Sequence, residues 1–139
     1  IKFLENSELV EIGENVFSNS AIEEIKIPKN VSIIMDCAFS DCKKLQNVCF
    51  CENSELKIIG KYAFSYSAIE SICIPSHVEE IRKHAFDNCQ KLQTIEFLEN
   101  SELNLIDEYA FYKTSIESIL ILPKILEIKR YCFSDCCSL

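Results

Sequence analysis

An internal repeat of 47 residues limits the fold of this chain more than any other feature. The segment Glu-Asn-Ser-Glu-Leu occurs three times, beginning at Glu5, Glu52 and Glu99. Each 47-residue unit divides into two copies, because phenylalanines recur at alternating intervals of 22 and 25 residues, namely Phe17, Phe39, Phe64, Phe86, Phe111 and Phe133. A repeat of roughly 20–50 residues is typical of solenoids. We therefore expect residues 1–139 to form one repeat domain.

Every copy carries two apolar segments. The first has the form apolar-x-x-apolar-x-apolar, and its last two positions alternate as in a strand with one buried face. Its copies are Ile22, Ile25 and Ile27; Leu45, Val48 and Phe50; Ile69, Ile72 and Ile74; Leu92, Ile95 and Phe97; and Ile116, Ile119 and Ile121. The second segment is an apolar pair three residues apart, such as Val31 and Ile34, which suits an extended or a helical stretch. One copy cannot enclose these side chains, so the copies must stack.

The repeat resembles the BspA-like class of leucine-rich repeats, in the alternating form found in trichomonads. Residues 22–45 carry the pattern at Ile22, Ile25, Ile27, Pro28, Val31, Ile34, Ala38, Phe39, Cys42 and Leu45, and residues 69–92 match it again. The resemblance implies an α/β or mainly β solenoid, a right-handed coil of about six turns with one parallel sheet face. It also implies adhesion and a cell-surface or secreted location, and it leaves a cytoplasmic location open.

The sequence departs from that pattern in two ways. Alternate copies have a longer loop in place of the proline, and they replace the cysteine after the phenylalanine by Ser20, Ser67 or Thr114. In the last copy Pro123 comes one place later than Pro75 predicts. We therefore expect an altered strand end in that copy.

The charge and the motifs argue against several functions. The net charge is −8 and the pI is about 4.8, so the surface repels phosphates and anionic lipids. No apolar run is long enough to insert into a membrane. His77 and His84 are the only histidines, and Cys37 and Tyr131 take the place of His84 in other units, which is typical of a half-exposed wall position. We therefore predict a protein that is not an enzyme and that has no cofactor and no metal site.

The cysteines fall into two groups. Cys42, Cys89 and Cys136 recur every 47 residues, which indicates a small buried side chain required by the repeat. Cys49 and Cys73 occupy outward positions of neighbouring strands and should stand side by side, and a disulfide or a soft-metal site there stays open.

The Glu-Asn-Ser-Glu-Leu turns are acidic. Glu5, Glu52 and Glu99 line up with Glu8, Glu55 and Glu102 in the repeat. Calcium binding is one interpretation, but the Asp-rich spacing of calcium loops is absent. We favour a solvated turn in which Ser and Asn bond the local backbone.

The outward positions of the long strands are the predicted binding surface. Their chemistry changes from copy to copy, so stacking does not dictate it. The predicted partner-binding residues are Lys26, Asn47, Cys49, Cys73, Thr94, Glu96, Leu98 and Leu120. The expected function is a protein-interaction module with a role in adhesion, and a scaffold or spacer is the alternative. Both ends lack a polar cap, so we expect part of a longer array or ends that contact other chains, and lateral or end-to-end self-association stays open.

Overall fold

The chain winds into a β-solenoid without a helix in the part that the computed structural model describes, residues 1–4, 6–98 and 100–139. Every coil contributes a two-residue strand, and all but the first also contribute a four-residue strand or a single bridge. The short strands are β1 (Glu11–Ile12), β3 (Ile33–Ile34), β5 (Ile58–Ile59), β7 (Glu80–Ile81), β9 (Leu105–Ile106) and β10 (Glu127–Ile128). The long strands are β2 (Glu24–Ile27), β4 (Asn47–Phe50), β6 (Ser71–Ile74) and β8 (Thr94–Phe97). The mainly β form of the expected solenoid is confirmed.

The short strands form the one uninterrupted parallel sheet, in the order β1-β3-β5-β7-β9-β10. Six strands in this order correspond to five complete turns, one fewer than the expected six. These strands contain the second residue of each apolar pair, so that pair is extended and not helical. Ile34, Ile59 and Ile81 are fully buried along the sheet, because alternate side chains of a strand point to opposite faces.

The long strands form a divided sheet. β2 pairs with β4, β6 pairs with β8, and a single bridge joins Thr94 to Ser118. No hydrogen-bonded pairing between β4 and β6 occurs among the described residues. The expected parallel stacking is confirmed, but the expected single sheet face consists of separate ladders.

A column of phenylalanine rings fills the wall opposite these strands. Neighbouring rings from Phe17 to Phe133 are stacked with centroid distances of 5.2–5.5 Å. A buried residue precedes each inner phenylalanine, and its carbonyl accepts a hydrogen bond from the phenylalanine amide of the preceding coil. Phe39 N–H, for example, donates to the Ala63 carbonyl at 2.7 Å. The Ala-Phe pair of the repeat therefore supplies both the ring column and a backbone ladder.

The wall is built from tight turns with left-handed residues. Two residues of each coil, four positions apart, have φ between 54° and 59°, as at Asn15 and Asn19. Asn and Asp tolerate this region because their short polar side chains bond locally. Tyr62 and Tyr66 take the same two positions in a later coil, so the stacked environment holds a bulky residue in a conformation that it disfavours.

The last coil departs from the others, as Pro123 predicts. Ile121, which the sequence pattern places inside, is 46% exposed, and Leu122 is 8% exposed. The prediction that Ile121 lies inside is therefore wrong. Leu122 takes the place that the buried Pro28 and Pro75 occupy in the earlier copies, so the proline has moved by one position without an insertion.

Candidate functional site

The predicted partner-binding residues all lie on the outside of the solenoid. The long strands alternate exposed and inward-facing positions, as in the exposed–buried–exposed–buried order of β2 and β6. Register places Lys26 opposite Cys49 and Cys73 opposite Glu96. The predicted outward positions of neighbouring strands are therefore confirmed within each ladder.

Three adjoining grooves run along this surface, which we call the long-strand face. The first, of about 370 Å³, is lined by Lys26, Asn47 and Cys49 among others. The second, of about 180 Å³, lies where β4 and β6 are not hydrogen-bonded, between Cys49 and Cys73. Thr94 and Glu96 also line this second groove. Because Cys49 borders both grooves, they form one continuous concave surface.

The third and largest groove lies at the carboxyl ends of the long strands. It has a volume of about 570 Å³ and is lined by Cys49, Cys51, Cys73 and Leu98, with His77 at its side. His77 Nδ1 lies 3.1 Å from the Ser54 carbonyl oxygen, which fixes the ring against the turn. The grooves together contain seven of the eight predicted residues.

Leu120 is the predicted residue that lies outside these grooves. It is 71% exposed and follows the isolated bridge at Ser118. The bridge between Thr94 and Ser118 continues the register of β8, so Leu120 lies at the outward position that follows Glu96 in the repeat.

Cys49 and Cys73 face the same grooves without forming a bond. Both thiols are free and exposed. Burial, and secondarily the charge of Glu96, raise the pKa of the Cys73 thiol. In the described part of the chain no group of three or more His, Cys, Asp or Glu side chains is arranged to hold a metal ion.

The repeated cysteines have a structural role that extends the sequence prediction. Cys42 and Cys89 are fully buried, as expected. The Cys42 thiol donates to the Phe17 carbonyl at 3.1 Å, and its sulfur lies 3.3 Å from the Ser20 hydroxyl. The same pattern joins Cys89 to Phe64 and Ser67, and Cys136 to Phe111 and Thr114. The Ser or Thr of one copy and the Cys of the next are therefore partners.

A second stacked column, which the sequence did not predict, lies on the outer wall. The rings of Tyr62, His84, Tyr109 and Tyr131 are stacked with centroid distances of 4.6, 4.8 and 5.1 Å. His84 Nδ1 lies 2.8 Å from an oxygen of Asp87, which is only 6% exposed. The rings on both faces of His84 cover it, so it has the half-exposed wall position predicted from the sequence.

A charged row runs beside this column. Lys83 Nζ lies 2.9 Å from one Glu108 oxygen and Arg130 Nε lies 2.7 Å from the other. These two hydrogen bonds, with that from Lys83 the stronger cause, lower the pKa of Glu108. The row joins three successive coils by alternating charges.

The acidic turns behave as solvated turns where the structure describes them. The hydroxyls of Ser7, Ser54 and Ser101 accept bonds from the amides two residues later, at 3.2–3.3 Å. This local bonding is the one predicted for the turn. Glu5 and Glu99 of the candidate calcium row lie outside the described residues.

Solved bacterial proteins share this fold. Pneumococcal vaccine antigen PcpA is 30% identical, with a TM-score of 0.71 over 76% of this chain and 28% of the antigen chain. A leucine-rich cell surface protein of Faecalibacterium prausnitzii is 26% identical, with a TM-score of 0.66 over 94% of this chain and 41% of that one. A leucine-rich repeat protein of Eubacterium ventriosum, 24% identical, has a TM-score of 0.74 over 87% and 32%. The chain thus spans less than half the length of each.

Two further comparisons complete the assignment. No curated protein matches the sequence. No helix in the described part of the chain is long and apolar enough to cross a membrane. The model of the BspA type leucine rich repeat region matches residues 10–139 in six copies, and the chain belongs to this family.

Proposed function

We propose that the chain is a protein-interaction module that binds a protein segment along the long-strand face. The observation that carries this proposal is the continuity of the three grooves, which bring seven outward residues of different coils to one concave surface. Concave surfaces with apolar and polar groups together are the usual sites of recognition. The outward side chains there do not pack in the core, so their chemistry can vary to suit a partner.

The electrostatics favour a partner segment with basic and apolar residues. The chain has a net charge of −8, which attracts cationic segments over distances of about a Debye length. Glu96 lines the second groove, where it would contact a basic side chain of the partner. Leu98 lines the third groove, where it would contact an apolar one. A short extended segment would place alternate side chains into these two grooves.

We also propose a role in adhesion at a cell surface, by binding and not by catalysis. Support comes from the family and from the two structural neighbours, one described as a vaccine antigen and the other as a cell surface protein. His84 is engaged by two rings and by Asp87, an arrangement that favours a structural role over general base catalysis.

Thiol footprinting tests the binding surface. A peptide library is selected against the chain, and each selected peptide is bound before a brief treatment with iodoacetamide. We expect bound peptides to protect Cys49 and Cys73 and to leave the exposed Cys137, which lies outside the three grooves, fully reactive. The readout is the alkylated fraction of each cysteine by mass spectrometry.

A charge reversal provides the matched comparison. Glu96→Lys should weaken binding of the selected basic peptides roughly tenfold or more, because a contact of opposite charge becomes one of like charge. Glu55→Lys makes the same change on an exposed turn outside the grooves and should have little effect. Equal binding to both variants, with no protection of either groove thiol, would contradict the proposal.

A further inference from the structure

A small surface cavity lies where turns of different length alternate. After the phenylalanine wall, the chain takes four residues to reach the next apolar segment in Cys42–Leu45 and in Cys89–Leu92, but only three in Ser67–Ile69. The short turn belongs to the coil between the two long ones, so it is recessed between them. A cavity of about 230 Å³ lies beside it, and we call it the turn cavity.

The turn cavity has an apolar floor and a rim with two lysines. Ala68 of the short turn lines the cavity and is only 8% exposed. Lys43 of the coil before and Lys91 of the coil after also line it, and both are exposed. The two ammonium groups therefore reach one cavity from the turns on either side of it.

The electrostatics of the turn cavity differ from those of the whole chain. No Asp or Glu is among the described residues that line it. Lys43 Nζ lies 3.9 Å from an oxygen of Asp41, a long contact between two exposed side chains, which competes little with another anion. Lys91 forms no ion pair with the described residues. The cavity is therefore a local site for an anion in a chain whose net charge is −8.

Tyr66 gives the turn cavity an aromatic surface. It lines the cavity and is 47% exposed. The other four tyrosines each pair with an aromatic ring, whereas Tyr66 pairs with none in the described part of the chain. Its amide donates to the Asp87 carbonyl at 2.9 Å, which holds its backbone in place. The electron-rich face of such a ring attracts groups with a partial positive charge, as the C–H groups of a sugar ring have.

Two amide side chains complete the lining. Asn88 Nδ2 donates to Asp87 Oδ1 at 2.6 Å, and Asp87 is only 6% exposed, so the Asn88 amide is anchored with its oxygen left as an acceptor. Gln90 is exposed at the rim and carries both donors and an acceptor. Such groups match hydroxyls, which donate and accept.

The repeat alone does not produce this combination. One unit later the short turn again lies between two longer ones, and a cavity occurs there too. The ring and both lysines are replaced in that cavity by Lys113, Gln90 and Ser138, and Asp135 lines it. The Ser115 hydroxyl, which takes the place of the alanine, donates to the Gln90 carbonyl at 2.7 Å. Stacking therefore does not require the lysines or the ring of the turn cavity.

We propose that the turn cavity binds the ring of an acidic sugar, a hexuronate. Its carboxylate lies between the ammonium groups of Lys43 and Lys91, and its C–H face rests on Tyr66. Its hydroxyls bond the amides of Asn88 and Gln90. The volume is below the roughly 300–1,000 Å³ of cavities for drug-sized ligands, so it suits a single ring. No residue lines both this cavity and the grooves of the long-strand face, so the sugar site is separate from the proposed protein-binding site.

A pair of matched ligands tests the proposal in the 139-residue chain. Methyl glucuronide and methyl glucoside differ only in the carboxylate, and each is titrated while the backbone amide signals are followed by NMR. We expect the glucuronide to shift the signals of Ala68 and Asn88 and to leave those of Cys49 and Cys73 in place. The glucoside should bind roughly tenfold or more weakly, because it lacks the charged acceptor. Acetate, which has the charge without the ring, should also bind more weakly.

Substitutions separate the ring contact from the charge contacts. Lys43→Gln and Lys91→Gln should each weaken glucuronide binding roughly fivefold or more. Lys44→Gln is the matched control, because this neighbouring lysine does not line the cavity. Tyr66→Asn removes the ring and keeps a residue that tolerates the left-handed backbone, and it should weaken binding roughly threefold or more.

The outcomes that would overturn the proposal are equally specific. One is a wild-type chain whose cavity amides do not shift with the glucuronide at any concentration. Another is equal binding of the glucoside or of acetate. A third is a Lys44→Gln variant that loses as much affinity as Lys43→Gln, since the lysines would then act only through the overall charge. Amide signals outside the cavity that match those of wild type show that each variant is folded.

Discussion

Truncation of the central ring in the phenylalanine column should destabilise the chain far more than truncation of an end ring. Phe64 is fully buried between Phe39 and Phe86, at centroid distances of 5.2 and 5.3 Å. Phe64→Ala removes the transfer free energy of the ring and leaves a cavity that two rigid neighbours cannot close. We expect a loss of about 4–5 kcal/mol in the free energy of unfolding, at the upper end of the range for such changes.

The matched variant is Phe17→Ala. Phe17 is half-buried and stacks on one ring only, so the same truncation should cost roughly 1–2 kcal/mol. Urea unfolding followed by circular dichroism measures both losses, and Phe64→Leu shows how much of the ring volume suffices. Equal losses in the two alanine variants would refute the idea that the rings share one column.

The position of Phe64 also affects cooperativity. In a solenoid each coil contacts only its neighbours, so a weakened central contact uncouples the two halves. The chain has no tryptophan, and none of its five tyrosines precedes Tyr62. Tyrosine fluorescence therefore reports on the central and later coils. In Phe64→Ala we therefore expect the fluorescence and dichroism transitions to separate, whereas in wild type they coincide.

Four other expectations concern the backbone and the cysteines. Gly60→Ala should lower the free energy of unfolding in urea by about 1–3 kcal/mol, because the new Cβ would lie 2.6 Å from the backbone of the preceding coil and force overpacking. Gly13→Ala, whose new Cβ would have nothing within 4 Å, should be neutral or stabilising by up to about 1 kcal/mol. Burial raises the pKa of Cys89 from 9.0 to about 12, so the folded chain keeps a proton that the unfolded chain releases. Its contribution to stability is therefore complete below pH 9 and falls by roughly 1.4 kcal/mol per pH unit above it, and Cys89→Ser should flatten the alkaline slope in unfolding measured at several pH values. Iodoacetamide near neutral pH should label the exposed Cys137 and leave Cys89 unlabelled in the folded chain, with labelling of both at similar rates contradicting the burial. Tyr66→Asn should raise the midpoint of thermal unfolding slightly, because tyrosine holds a left-handed φ of 57° there that asparagine adopts at lower cost.

The core could be predicted from the sequence because the same positions are apolar in every coil. Phe64 and Ile74 are buried as the repeat requires, since a position that stays apolar through six copies has the same inward place in each. The pattern could not show that Val31 and Ile34 lie in an extended segment, because a spacing of three fits a helical turn as well as a short bent strand. Pairing with neighbouring coils decides the matter, and it is not local.

The stacked ring column on the outer wall could not be predicted from the sequence, because its positions vary from coil to coil. Its positions are occupied by Asn15 and Cys37 in the first coils and by Tyr62 and His84 in the middle ones. No common hydrophobicity marks such a position, and a tyrosine in one coil says nothing alone about a histidine 22 residues later. Only the alignment of coils in space makes these rings neighbours, at 4.6 Å.

The interfaces between coils explain why the repeat unit is 47 residues and not 23. Across a 22-residue step, Cys42 donates to a carbonyl of the preceding coil and its sulfur is bonded by Ser20. Across the 25-residue steps no contact of this kind recurs among the described residues: the residues after the phenylalanines are Ser40 and Ser65, with hydroxyls 3.0 Å apart, at one step and Asp87 and Tyr112 at the next. Because the contact of the cysteine with Ser or Thr recurs across the 22-residue steps, a single kind of coil would leave a buried thiol without its match, at a cost of roughly 1–3 kcal/mol.

This alternation makes a direct demand on any coil that joins the array. Exchange of the two side chains, as in Ser67→Cys combined with Cys89→Ser, keeps a thiol and a hydroxyl in contact but turns the direction of their bonds. At present the Cys89 thiol bonds the Phe64 carbonyl at 3.0 Å, and a serine hydroxyl is shorter and lies farther from that oxygen. The exchanged pair should therefore be less stable than wild type but more stable than the sum of the single changes predicts, since residues in one hydrogen-bonded network do not act independently. Strict additivity of the two single effects would mean that the thiol and the hydroxyl are adjacent without being coupled, and the 47-residue period would then rest on loop length alone.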